Sequence, residues 1–88
     1  MDNKQSTRKT KFSVAIGDRL RKHREDAQMT QEQVAELIGV SSRYYRYLEE
    51  GERKPSMEKL LLIREKMSMD LNYLVAGETE KGEEEGLI

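Results

Sequence analysis

The stretch Thr30 to Pro55 limits the fold more than any other part of this chain. Thr30-Gln31-Glu32-Gln33 fits a capping box, in which the Thr30 hydroxyl accepts from the backbone N–H of Gln33 and the Gln33 side chain reaches back. Val34, Ala35, Leu37 and Ile38 then supply a buried side at helical spacing. Gly39 can take a positive φ and stop the helix, Val40 fills the corner beneath the turn, and Ser41 caps the next helix. That second helix runs from about Ser42 to Glu50, where Gly51 ends it and Glu52-Arg53-Lys54-Pro55 forms a polar connector. Two short helices joined by a tight turn are therefore expected.

The second of these helices has an unusual outer face. Tyr45 and Leu48, three residues apart, take the inner side. Arg43, Arg46, Tyr47 and Glu50 then fall on the outer side. The run Ser42-Arg43-Tyr44-Tyr45-Arg46-Tyr47 holds too many planar and cationic groups for a helix that serves only a core. A helix opening with Arg and Tyr can enter a DNA major groove and touch base edges.

Eighty-eight residues make one domain with a small core and about four or five short helices. A first helix is expected to start after Ser13 as N-cap, with Ile16, Leu20 and Ala27 keeping one face apolar. Arg24 falls beside that face, an odd place for a charge. A fourth helix starts at Ser56 and repeats Leu60, Ile63 and Met67; a fifth is capped by Asp70 and carries Leu71, Leu74 and Val75. No strand signal of any length and no internal repeat is present. The expected organisation is a flexible basic arm over 1–12, an all-α domain over 13–77 and an acidic, disordered tail over 78–88.

Charge and composition narrow the function. The net charge of −1 looks wrong for a nucleic-acid binder, but it is unevenly spread. Residues 1–29 hold eight Lys/Arg against four Asp/Glu, residues 30–77 seven against eight, and residues 78–88 one against five. The local field at the contact face, not the total, governs phosphate binding. No cysteine is present, so disulfide and thiolate chemistry are excluded. His23 stands alone, without a ligand cluster around it, and reads as a packing residue. No glycine-rich phosphate loop and no Ser-His-Asp set is present, so no enzyme activity, metal or cofactor is expected. No apolar run approaches the ~20 residues of a membrane span and no signal peptide opens the chain, so a cytoplasmic protein without membrane contact is expected.

Arg24, Thr30-Gln31, Ala35, Gly39-Val40-Ser41, Leu48-Glu49, Gly51, Lys54-Pro55-Ser56, Leu71 and Tyr73-Leu74 stand at a consistent spacing. From Ile16 to Gly77, about two thirds of the chain, the sequence resembles the lambda-repressor-like helix-turn-helix domains, the bacterial and phage group called the XRE family. The resemblance implies a compact five-helix fold that binds operators as a two-fold dimer, with the third helix in the major groove. It further implies that Gln31 contacts phosphate, that Ser42, Arg43 and Tyr47 face base edges, and that Arg24 pairs with Glu49. The chain departs from the family at Gln28 and Ser68, where relatives often carry glycine after the first and fourth helices. Glu50 and Glu52 also stand where a cationic or amide group would suit phosphate better, and three tyrosines in one recognition helix exceed the family pattern.

These readings give a site. Arg43 is the leading candidate for base readout, because a guanidinium can donate two bonds to guanine O6 and N7. Ser42 joins it at the helix start. Tyr44 and Tyr47 offer a hydroxyl to a base edge and a ring to a thymine methyl, or pack against the second helix or a dimer partner. Thr30 and Gln31 present helix N–H groups to a phosphate. Arg46 reaches phosphate or pairs with Glu49 or Glu50, and Arg53 and Lys54 are phosphate contacts or an ordinary solvated loop. The expected function is a sequence-specific transcriptional regulator, a repressor, acting as a homodimer on double-stranded DNA. The alternative is a protein-interaction module, an antitoxin or adaptor, that uses the same fold to hold another protein, with the acidic tail as a further contact for such a partner.

Overall fold

A computed structural model of the protein describes residues 9–77, and these contain five helices and no strand. They are α1 (Lys11–Asp26), α2 (Gln31–Ile38), α3 (Ser42–Glu50), α4 (Met57–Met67) and α5 (Asn72–Ala76), the last a single turn with π spacing. Residues 1–8 of the expected arm and the whole tail over 78–88 lie outside the described residues.

The helix limits follow from local chemistry. At α2 the box is reciprocal: Gln33 N–H donates to Thr30 Oγ1 at 3.0 Å and Thr30 N–H donates to Gln33 Oε1 at 2.9 Å. Gly39, at φ 76°, closes the helix in the left-handed region, and Val40 N–H turns back to Ala35 O at 2.9 Å. Ser41 and Ser56 cap α3 and α4 by accepting from the N–H of Tyr44 and Lys59. Asp70 accepts from Asn72 N–H at 3.2 Å at the start of the last turn.

The start of α1 corrects the expectation. The helix begins at Lys11, and Thr10, not Ser13, is its N-cap. Ser13 is the third helical residue and closes a second reciprocal box, accepting from Thr10 N–H at 2.9 Å while Thr10 Oγ1 accepts from Ser13 N–H at 3.0 Å. A serine replaces the usual Glu or Gln of such a box, which hides it in the sequence. Ser13 Oγ is then buried and donates to Gly51 O at 2.8 Å, tying α1 to the end of α3.

The core comprises Ile16, Leu20, Val34, Ala35, Ile38, Tyr45, Leu48, Ile63, Met67, Met69 and Leu74. Two residues expected on buried faces are exposed instead. Leu37 is 39% exposed, because α2 is only two turns long and its buried stripe is spent on Val34, Ala35 and Ile38. Ala27 is exposed because α1 has already ended at Asp26. His23 faces Met67 O at 2.8 Å through Nε2, which therefore carries the proton, and so joins α1 to the end of α4.

Gln28 and Ser68 take the conformation that glycine favours, at φ 60° and 53°. A Cβ in the left-handed region costs about 1–2 kcal/mol, partly offset by the greater unfolded-state entropy of glycine. Gln28→Gly and Ser68→Gly are each expected to stabilise the domain by about 0.5–1 kcal/mol. Thermal denaturation checks this; a lower Tm in either variant would mean that the side chain itself holds the turn together.

Candidate nucleic-acid interface

The site is built on α3, and its inner face explains how the outer face is held. Tyr45 and Leu48 are fully buried, and Glu49 is 2% exposed. Glu49 is locked by side chains from two other elements, α1 and α2. Arg24 of α1 donates from Nε to Glu49 Oε2 at 2.6 Å and from Nη2 to Oε1 at 3.1 Å, a bidentate fork. Gln31, the first residue of α2, donates from Nε2 to Glu49 Oε1 at 3.0 Å. The Nη2 of Arg21 donates to the Glu49 carbonyl at 3.2 Å, satisfying one of the free carbonyls at the end of α3. Arg24 also donates from Nη1 to Met29 O at 3.0 Å, which pins the α1–α2 turn.

Burial by itself would raise the Glu49 carboxyl. Donation from Arg24, with help from Gln31, outweighs it and holds the group below the usual carboxylate range. The Tyr45 hydroxyl lies beside this carboxylate, buried and without a hydrogen-bond partner of good geometry. Its own titration is pushed well up, first by burial and then by the neighbouring Glu49. Glu49 is thus ionised at neutral pH and joins α1, α2 and α3 into one unit.

The outer face carries a different cluster. Arg43 and Arg46 are exposed, and Tyr47 and Ser42 are half-buried. The guanidinium carbons of Arg43 and Arg46 each lie 5.9 Å from the Tyr47 ring centroid. Arg53, arriving from the connector, lies at 5.8 Å. Arg43 Nε also donates to the Tyr47 hydroxyl at 3.1 Å. Arg46 Nε is 3.8 Å from Glu50 Oε2, an exposed pair one turn apart. Such pairs stabilise weakly and yield readily to a phosphate. Glu52 pairs with Lys9 at 3.8 Å, so a cation from beyond the start of α1 faces one of the two unfavourable glutamates.

The structure thus brings Arg43, Arg46, Tyr47 and Arg53 together, and separately Arg24, Gln31 and Glu49. Lys54 and Thr30 are exposed at the ends of their helices' connectors, the latter with its hydroxyl taken up in the cap. Tyr44 does not join the outer cluster. It is half-buried against the core, where desolvation raises its phenol. Sequence reasoning missed Tyr47 as the centre of the cluster. The four-residue spacing of Arg43 and Tyr47 was a usable signal, whereas nothing local announces the return of Arg53.

A family model described as helix-turn-helix matches residues 20–74. The chain is also similar to the uncharacterized HTH-type transcriptional regulator YqaE of Bacillus subtilis (strain 168), 30% identical over 66 residues. That alignment takes in 75% of this chain and 57% of the relative, so the chain spans little more than half of that protein's length. No solved structure matches. No helix among the described residues is long and apolar enough to cross a membrane.

Proposed function

This chain belongs to the lambda-repressor-like helix-turn-helix family, and on that premise we propose that it is a transcriptional repressor that inserts α3 into the DNA major groove. The observation that supports this most is the division of α3 between its two faces. Tyr45, Leu48 and Glu49 are turned inward, with Glu49 locked to α1 and α2, while Ser42, Arg43, Arg46 and Tyr47 are left facing out. Rigid mounting matters because a base contact needs its donor held in place before the DNA arrives.

In this reading Arg43 donates to a guanine, Ser42 reaches a neighbouring base edge, and the rings of Tyr44 and Tyr47 border the groove. Arg46, Arg53 and Lys54 contact phosphates on one strand. Thr30 and Gln31 present the start of α2 to a phosphate on the other side of the groove. Gln31 keeps an amide hydrogen for that purpose after donating to Glu49. One α3 reads about a half-site, too little for useful specificity, so a homodimer on a palindromic operator follows. The function is binding in the cytoplasm, without catalysis or cofactor.

A second reading, as a protein-interaction module, draws on the exposed Met57 and Leu61, one turn apart on α4 and 66% and 48% exposed. Selecting bound fragments from a random duplex pool, then titrating salt, separates the two. A repressor shows a linear fall of log affinity with log salt, at a slope of about −0.9 for each phosphate neutralised. Failure to bind any duplex at low salt removes the repressor reading.

Within that experiment, Arg43→Ala is expected to leave the fold and the salt slope intact. Discrimination against a changed base pair should fall by about 1–3 kcal/mol, or roughly five- to 150-fold. Lys54→Ala should instead weaken all duplexes equally and flatten the slope by about one. Full discrimination by the Arg43 variant would take Arg43 out of the readout.

A further inference from the structure

Three cations converge on one aromatic ring on the outer face of α3, and nothing in the pairwise roles above requires it. Arg43 and Arg46 flank Tyr47 in the helix, and Arg53 folds back from beyond Gly51 to the same ring. Side by side, three guanidiniums repel one another. A ring presenting its π electrons to all of them offsets that repulsion and limits the freedom of otherwise exposed side chains. The hydroxyl adds a directional contact, accepting from Arg43 Nε at 3.1 Å. With Nε engaged, the donors that Arg43 still points outward are the paired N–H groups on Nη1 and Nη2. That pair matches the spacing of guanine O6 and N7.

We propose that Tyr47 is a positioning residue, whose hydroxyl aims the Arg43 fork and whose ring gathers Arg46 and Arg53 as one phosphate-facing unit. This rests on the DNA-binding reading and deepens it: the Tyr47 hydroxyl serves specificity through Arg43 and makes no base contact itself. Ring and hydroxyl then have separable effects. The hydroxyl governs which base is preferred, and the ring governs how tightly any duplex is held.

The test is a double-mutant cycle on the duplex selected by the wild-type protein, with discrimination and salt slope measured for each variant. Tyr47→Phe keeps the ring and should reduce discrimination about three- to tenfold at the base pair read by Arg43, with an unchanged salt slope. Tyr47→Leu should in addition lower affinity for every duplex by about two- to fivefold. In an Arg43→Ala background, Tyr47→Phe should alter discrimination less than about twofold. Equal losses in both backgrounds would overturn the proposal, because the hydroxyl would then be reading a base directly. Unchanged discrimination in Tyr47→Phe would overturn it as well. A wild-type protein that binds no duplex fails the functional reading itself and carries this inference with it. Thermal melts of Tyr47→Phe close to wild type exclude a folding effect.

Discussion

Arg24→Ala is expected to lower the Tm by roughly 15–30 °C and to leave a large unfolded fraction at room temperature. The reason is what remains behind. Glu49 is 2% exposed, and its carboxylate takes two of its hydrogen bonds from Arg24. Removing one partner of a buried pair costs about 3–5 kcal/mol, because the other charge stays desolvated and uncompensated. A domain of this size has only about 5–15 kcal/mol in total, at the lower end for a small core. Gln31 and the more distant Arg21 cannot replace a bidentate fork.

The mechanism has two further signatures. Glu49→Gln introduced into the Arg24→Ala protein should recover part of the loss, since the stranded charge is gone. The pH dependence has a defined sign. The Glu49 carboxyl is held below its usual value of 4.5, so its stabilisation is fully present above that pH and is lost as pH falls through the lower folded value. Wild-type Tm should therefore drop on acidification below about 4.5 more steeply than that of Glu49→Gln. Thermal melts between neutral and acid pH measure both effects. An unchanged Tm in Arg24→Ala would show that the pair is not what holds α1 to α3.

Gly17→Ala is the second large effect, and it runs against local propensity. Alanine favours a helix over glycine by about 1 kcal/mol, so α1 alone would gain from the change. The helix crossing reverses the sign. A Cβ on Gly17 would lie 2.6 Å from Leu48 O, 2.8 Å from Glu49 C and closer still to Glu49 O, all of them backbone atoms of α3. No side chain can swing aside to make room. The helices must separate, which lengthens the Arg24–Glu49 bonds and the bond from Ser13 Oγ to Gly51 O. The expected net loss is about 3 kcal/mol or more, with weaker DNA binding because α3 shifts against α2. A Tm at or above wild type would show that α1 and α3 do not cross in backbone contact at Gly17.

The elements differ in how far they were legible. The α2 cap, the turn at Gly39 and the inward placement of Tyr45 and Leu48 could be read directly, because each depends on residues within four positions. The first turn of α1 was misread by the same kind of rule, since a serine does the work of a longer polar residue at the third position. Leu37 was misassigned because periodicity identifies an apolar stripe but not how much of it a two-turn helix can bury. Arg24 could be recognised as misplaced beside an apolar face. The identity of its partner came from family resemblance, and the third member of that network, Gln31, emerged only in the fold. Gly17 left no local trace beyond being a glycine in a helix.

By itself, the sequence determined where α2 and α3 begin and end, which residues of α3 turn inward, and that a cationic, aromatic segment opens that helix. These are matters of nearby hydrogen bonds and side-chain spacing. Tertiary structure alone decided that α1 and α3 touch through Gly17, that Arg24 and Arg21 meet Glu49 across 25 and 28 residues, and that Arg53 returns to Tyr47. Such meetings depend on the angles at which whole helices pack, and those angles are set by the shape of the entire core, which no short window of residues contains.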